Sequence, residues 1–220
     1  MTDTSTTAER TELRYPFAFA KPELIAGKLF GIRPDNSEVV LDGDEFIARF
    51  GPWTVATSIG NIAGADLTGP YSWPKIIGPA HLSLRDSGLT FASNDRQGVC
   101  IKFRKKVTGV DALGIVKHAA LTVTVADAPS LAAVLHRAAQ LADEAEERAE
   151  RHPGNATLVA LDADGDVAAP SVDQVLDEVH DDLLGMSARE LRDRAKELGV
   201  SGVASMKKDE LIEVLSHGTA

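Results

Sequence analysis

Five cations near the C-terminus have the types and spacing that phosphate recognition uses. Arg189, Arg192 and Lys196 follow three- and four-residue steps, so on a helix they share one side. Lys207 and Lys208 fall at the expected start of a following helix, where backbone N–H groups and the helix dipole also favour a phosphate. Their work would be electrostatic, because phosphate contacts supply most of the sequence-independent affinity for nucleic acid. A solvated, charge-balanced face is the plainer alternative: from Leu183 onward six basic residues meet six acidic ones.

A second basic run, Lys102-Phe103-Arg104-Lys105-Lys106, lies where a strand passes into a loop. Lys102, Arg104, Lys105 and Lys106 are a candidate anion site, with Arg33 and Lys117 available to join them, although cations at a strand edge also serve to prevent aggregation. Tyr71 and Trp73, with Pro74, Ile76 and Ile77, make an aromatic loop suited either to core packing or to anchoring a protein partner. Enzyme patterns are missing: the chain has no glycine-rich phosphate loop ending in Gly-Lys-Ser/Thr, no Gly-x-Ser-x-Gly and no His-Glu-x-x-His. The expectation is a non-enzymatic protein without cofactors. Six histidines are scattered without ligand spacing. Asp162, Asp164, Asp166 and Asp173 alternate as calcium ligands do, but Val167 stands where such a loop requires glycine. We read that stretch as a linker turn and expect no metal. Cys100 is the single cysteine and sits in an apolar alternating run, as a small buried residue would.

The elements that must position the first set of cations are two short helices. Ser187 followed three residues later by Glu190 is a capping box; Leu191, Ala195 and Leu198 recur at helical spacing, and Gly199 fits a C-cap. This predicts a helix over Ala188 to Leu198. Val200 to Ala204, with Gly202 at its middle, reads as an extended loop, and Ser205 caps a second helix whose apolar face is Met206, Leu211, Ile212 and Leu215. A preceding helix, Ser171 to Leu183, carries Ser171 and Gln174 at box spacing and an apolar side of Val172, Val175, Leu176, Val179 and Leu183.

This helix, extended loop, helix pattern resembles the N-terminal helical domain of the transcription termination factor Rho and, more distantly, the SAP module. The likeness is carried by Met186-Ser187, Glu190-Leu191, Ala195-Lys196-Glu197-Leu198-Gly199-Val200, Gly202 and Met206-Lys207-Lys208-x-Glu210-Leu211-Ile212. It covers the last fifth of the chain. The resemblance implies a nucleic-acid-binding helical module, taking RNA or DNA and associated with transcription termination.

Upstream, Met1 to Arg14 is rich in Thr and charge and is expected to be a disordered tail. Short strands follow: Glu38 to Leu41 and Glu45 to Phe50 around Asp42-Gly43-Asp44, then Trp53 to Ile59 and Asn61 to Thr68. His81 to Leu84, Leu89 to Ser93 and Val99 to Arg104 read as a three-stranded meander, and Leu121 to Val125 as a last strand. A helix begins after Asp127 with the stripe Leu131, Val134, Leu135, Ala138, Leu141 and Ala142. Strands closed by one such helix, with the phrases Trp53 to Ile62 and His81 to Phe91, resemble a bacterial PH-like domain over about residues 24–150. That resemblance implies a closed barrel or sandwich with a C-terminal helix.

The expected fold is α+β: a tail over 1–14, a PH-like domain over 15–151, an acidic linker over 152–170 and an all-α module over 171–220. His152 to Asp182 hold eight acidic residues and no Lys or Arg, a large share of the net charge of −10. With 44% hydrophobic residues and no apolar run long enough to span a bilayer, a cytoplasmic protein is expected. Two other functions fit the same residues. One is a protein-interaction adaptor using the loop around Trp73; the other is anionic-lipid binding through Lys102 to Lys106.

Overall fold

Alternating apolar residues build a first antiparallel sheet from β1 (Glu12–Pro16), β2 (Ser37–Asp42), β3 (Glu45–Phe50) and β4 (Trp53–Ser58), in sequential order. The computed structural model describes residues 11–20, 27–71, 81–83, 88–109, 116–151, 168–197, 200 and 202–217. Asp42 pairs with Glu45 across a two-residue turn, and Gly43 takes the positive φ of +60° that such a turn demands. Val39, Leu41, Phe46, Ala48 and Val55 are buried from this sheet. β1 reaches into the stretch expected to be tail: Leu13 packs on the core, Tyr15 is buried, and Arg14 pairs with Glu38 on β2 at 3.0 Å. Backbone pairing to β2 from Glu12 to Pro16 orders those residues.

The second sheet contains β5 (Ile62–Thr68), β6 (His81–Ser83), β7 (Gly88–Phe91), β8 (Gly98–Val107) and β9 (His118–Val123) in the order β5-β8-β9-β7-β6. The expected meander is therefore wrong. β6 and β7 pair, but β9 enters between β7 and β8, parallel to the first and antiparallel to the second. Ser93 and Asn94 divert the chain after β7. The Ser93 hydroxyl donates to the carbonyls of Ala18 and Thr124 at 2.8 and 3.2 Å, and the Asn94 amide donates to Ala18 at 2.8 Å. These bonds hold the end of β7 beside the end of β9 rather than turning it back along itself.

Neither sheet closes. β1 and β4 are the edges of one, β5 and β6 the edges of the other, with an isolated bridge from Phe17 to Val125 between their ends. This overturns the PH-like barrel or sandwich: the fold is α+β with two open sheets and several C-terminal helices. One core joins the sheets. Phe50 of the first stacks on Phe91 of the second at 5.2 Å between ring centroids, and Phe17 lies 5.0 Å from Phe50, contacts worth about 0.5–1.5 kcal/mol each beyond burial.

Helix α1 (Ala128–Arg151) covers this core with Leu131, Val134, Leu135, Ala138 and Ala142. Its start is capped by Asp127, whose carboxylate accepts the Ser130 N–H at 3.0 Å. Helix α2 (Val172–Gly185) opens with both bonds of the expected box, Ser171 with Gln174. Its first turn docks on the β2–β3 hairpin, the Val172 N–H donating to the Gly43 carbonyl at 2.7 Å. Val172 and Val175 belong to the large core, whereas Leu183 belongs to a second, small one. Helices α3 (Ala188–Glu197) and α4 (Lys208–His217) complete that small core with Leu191, Ala195, Leu211 and Ile212, joined by Val203 from the turn between them.

Candidate nucleic-acid interface

The local sequence sets α3 and α4 by caps. The Ser187 N–H donates to the Glu190 carboxylate at 2.8 Å and the Glu190 N–H donates to the Ser187 hydroxyl at 3.3 Å. Contacts to Ser187, its hydroxyl first and its N–H second, hold the Glu190 carboxyl below its ordinary pKa. At α4 the structure differs from the expectation. Ser205 donates to the Gly202 carbonyl at 3.1 Å within the loop, and the N-cap is Lys207, whose N–H donates to Glu210 at 2.7 Å. Gly202 has φ of +77°, a conformation suited to glycine in this turn. Leu198 and Gly199 lie outside the described residues.

The five expected phosphate ligands divide by what they touch. Arg189 is 91% exposed and its guanidinium is 4.0 Å from Asp193, while Lys196 lies 3.5 Å from the same carboxylate. Exposed pairs of this kind contribute at most about 1 kcal/mol, so a phosphate can compete for both cations. Lys207 is exposed. Lys208 is half-buried, its ammonium donating to the Leu184 carbonyl at 2.9 Å, which ties α4 to the end of α2. Arg192 turns inward. Its guanidinium donates to the carbonyls of Ala188 at 3.2 Å and Met206 at 3.0 Å, clamping α3 to the segment that leads into α4. Equal helical spacing had put Arg192 beside Arg189 and Lys196, but spacing does not show that a carbonyl lies within its reach.

The sequence reading left Arg194 without a role. It is exposed and lines a recess of about 370 Å³ with His136, Arg137 and Gln140 of α1 and Asp182 of α2. Arg137 bridges those two helices, 2.7 Å from Glu178 and 3.7 Å from Asp182. The module thus meets the body through α1 and α2.

On the body, the expected anion set is also split. Lys102 pairs with Asp66 at 2.9 Å, a contact that depresses the Asp66 pKa through the hydrogen bond and the charge. Arg104 is half-buried, donating to the carbonyls of Gly60 at 3.1 Å and Ala139 at 3.2 Å and pairing with Asp143 at 2.7 Å, so it joins β8 to α1. Lys105 and Lys106 are exposed and face a groove with Lys117. Of the aromatic pair, Tyr71 is half-buried, with its hydroxyl bonded to Thr68 and its N–H donating to Asp95 at 2.8 Å. Burial raises its pKa. Trp73 lies outside the described residues, as do Asp162, Asp164 and Asp166. Among the described residues no group of three or more His, Cys, Asp or Glu is placed to hold a metal ion, and no helix is long and apolar enough to cross a membrane.

Comparison with protein families matches residues 182–216 to the Rho termination factor, N-terminal domain. No curated protein and no solved structure matches the chain. The family match begins in the last turns of α2 and runs through α4, so the region similar to the Rho N-terminal domain is the small-core module that carries Arg189, Lys196 and Lys207.

Proposed function

We propose that this chain is a non-enzymatic nucleic-acid-binding protein that contacts RNA or DNA phosphates through its C-terminal module. The observation that carries this reading is the coincidence of the Rho N-terminal domain match over 182–216 with a module presenting Arg189, Lys196 and Lys207 to solvent. Backbone N–H groups at the start of α4 add partial positive charge beside Lys207. Lys208 and Arg192 support the surface rather than form it, because both donate to carbonyls of their own module. The matched family makes transcription termination the process to examine first.

The test is titration of labelled single-stranded RNA, single-stranded DNA and duplex DNA with the whole protein at a series of salt concentrations. Binding should weaken with salt, and the double variant R189A/K207A should flatten the slope of log K against log salt by about 1.4–1.8, the value for two lost phosphate contacts. Salt-dependent binding with an unchanged slope in the double variant refutes the assignment to these residues. No binding to any of the three ligands refutes nucleic acid as the partner.

A further inference from the structure

We infer that the groove holding Lys105, Lys106 and Lys117 is a second phosphate-contact site, which takes the phosphodiester backbone of the nucleic acid bound by the module. The inference rests on the proposed function and extends it to the strand-rich body. The groove is open, about 910 Å³, and runs between α1, the end of β4 and the C-terminal end of β8. A bulge creates it. In the β8–β9 pairing Lys102 faces Ala120 and Val107 faces His118, so four residues of β8 stand against Ala119 alone and the strand bends outward. Asn61 fixes the bent segment from both sides, its amide donating to the Lys105 carbonyl at 2.9 Å and its oxygen accepting the Lys105 N–H at 2.7 Å. The backbone around Lys105 and Lys106 is therefore held while their ammonium groups stay in solvent.

Among the described residues Lys105, Lys106 and Lys117 make no ion pair, in contrast to Lys102 and Arg104. Thr57 and Ser58 line the same groove. Each hydroxyl accepts one bond, from the Asn61 amide at 2.9 Å and from the Gly60 N–H at 3.2 Å, and each keeps its O–H free to donate to a phosphate oxygen. Asp44 and Glu146 also face the groove, and Glu146 lies 3.8 Å from Arg104. These three lysines, with Arg104 held by Asp143, thus face Asp44 and Glu146, on a chain whose net charge is −10. An excess of positive charge so localised suits a narrow, densely charged polyanion better than a broad acidic protein surface, which the rest of the molecule would repel. A bilayer fits less well, because the site is recessed and its described apolar lining is Ala56, Val107, Ala142, Ala168 and Ala169, none of them a large exposed side chain. Among the described residues no aromatic side chain lines it, so it grips the backbone without stacking bases.

Its spacing from the module permits one ligand to reach both. Ala168 and Ala169 form part of the groove wall, and α2 then runs 14 residues to the point where Lys208 donates to Leu184. At 1.5 Å per residue this is about 21 Å, or about six phosphates along one strand of a duplex at 3.4 Å each. Two sites tethered this way act on one strand at high effective concentration.

The experiment compares the whole protein with K105A/K106A/K117A, with the charge-preserving K105R/K106R/K117R and with the module variant R189A/K207A, using the same labelled nucleic acids and salt series. All the substituted lysines are exposed, and thermal melting followed by circular dichroism verifies that each variant folds. The expected result is a slope flatter by about 2–3 for the triple alanine variant and preserved in the triple arginine variant. A triple alanine slope equal to wild type, with the module variant flattened, overturns the groove and leaves the module reading intact. Failure of the wild-type protein to bind any nucleic acid overturns both. Loss of binding to phosphatidylserine vesicles by the triple alanine variant, with nucleic-acid binding unchanged, overturns the inference in favour of a lipid headgroup.

Discussion

Replacing Arg192 by alanine separates a folding role from a binding role in the C-terminal module. The Arg192 guanidinium donates to the Ala188 and Met206 carbonyls at 3.2 and 3.0 Å, and its Nε is buried with no hydrogen-bond partner among the described residues. Hydrogen bonds from a charged donor contribute about 1.5–3 kcal/mol each. The bond to Ala188 counts for less, since that carbonyl also serves the helix, and relief of the unpartnered Nε offsets part of the loss. The net cost of Arg192→Ala is about 2 kcal/mol, most of it from the bond to Met206 that spans α3 and the approach to α4. That is a large share of the stability of a small core built on Leu183, Leu191, Ala195, Val203, Leu211 and Ile212. Hydrogen exchange by amides of α3 and α4 should accelerate about 30-fold in R192A, while amides of β2, β3 and β8 stay unchanged. Arg189→Ala, at an exposed position, should leave all of them within about twofold. Protection in R192A equal to wild type would refute the clamp and return Arg192 to the solvent-facing set.

Glu190→Gln keeps an acceptor for the Ser187 N–H but removes a titrating group. Because the folded-state pKa of Glu190 is depressed, its contribution is present above the ordinary carboxylate range and is lost as pH falls through the folded value; wild-type module protection should drop on acidification, and E190Q should show less of that drop. Ser187→Ala removes the reciprocal acceptor and should cost the module about 1 kcal/mol by the same exchange measurement. Burial raises the Asp127 pKa against the opposing bond from Ser130, so keeping this carboxylate ionised above the ordinary carboxylate range costs the fold some stability. Asp127→Asn should therefore leave the melting temperature at neutral pH unchanged or raised, whereas Asp127→Ala, which loses the cap, should lower it.

The capping boxes at Ser171 and Ser187 and the turn at Gly43 were legible because each is a local pattern satisfied by residues within three or four positions. The stripe of α1 was equally plain from its spacing. Strand order was not: Leu89 to Ser93 and Val99 to Arg104 look like hairpin partners in sequence, and only bonds from Ser93 and Asn94 to Ala18 and Thr124, some 75 and 30 residues away respectively, make room for β9. The closed PH-like body failed for the same reason, since closure depends on which edges meet and not on how many strands there are. At the interface, spacing identified Arg189, Arg192 and Lys196 as one face but could not show that Arg192 has carbonyls to bind. The bulge that groups Lys105 and Lys106 with Lys117 is a register mismatch between distant strands, which no single segment encodes.

Helix α2 decides how the module is carried. Its first turn is buried with the sheets through Val172 and Val175, and its last turn is buried with the module through Leu183. A helix shared by two cores transmits orientation, because neither end can rotate without exposing apolar surface at the other. Arg137 adds a lateral tie, with its side chain 18% exposed and its guanidinium among Glu144, Glu178 and Asp182. Arg137→Ala leaves three half-exposed carboxylates facing one another across α1 and α2. The loss is about 1 kcal/mol, and it falls on the docking of the module rather than on either core. If the groove and the module act on one strand, R137A should weaken binding to long oligonucleotides more than to short ones, because a looser joint lowers the effective concentration of the second site without altering either set of cations. Equal loss on long and short ligands would place Arg137 in a single site instead.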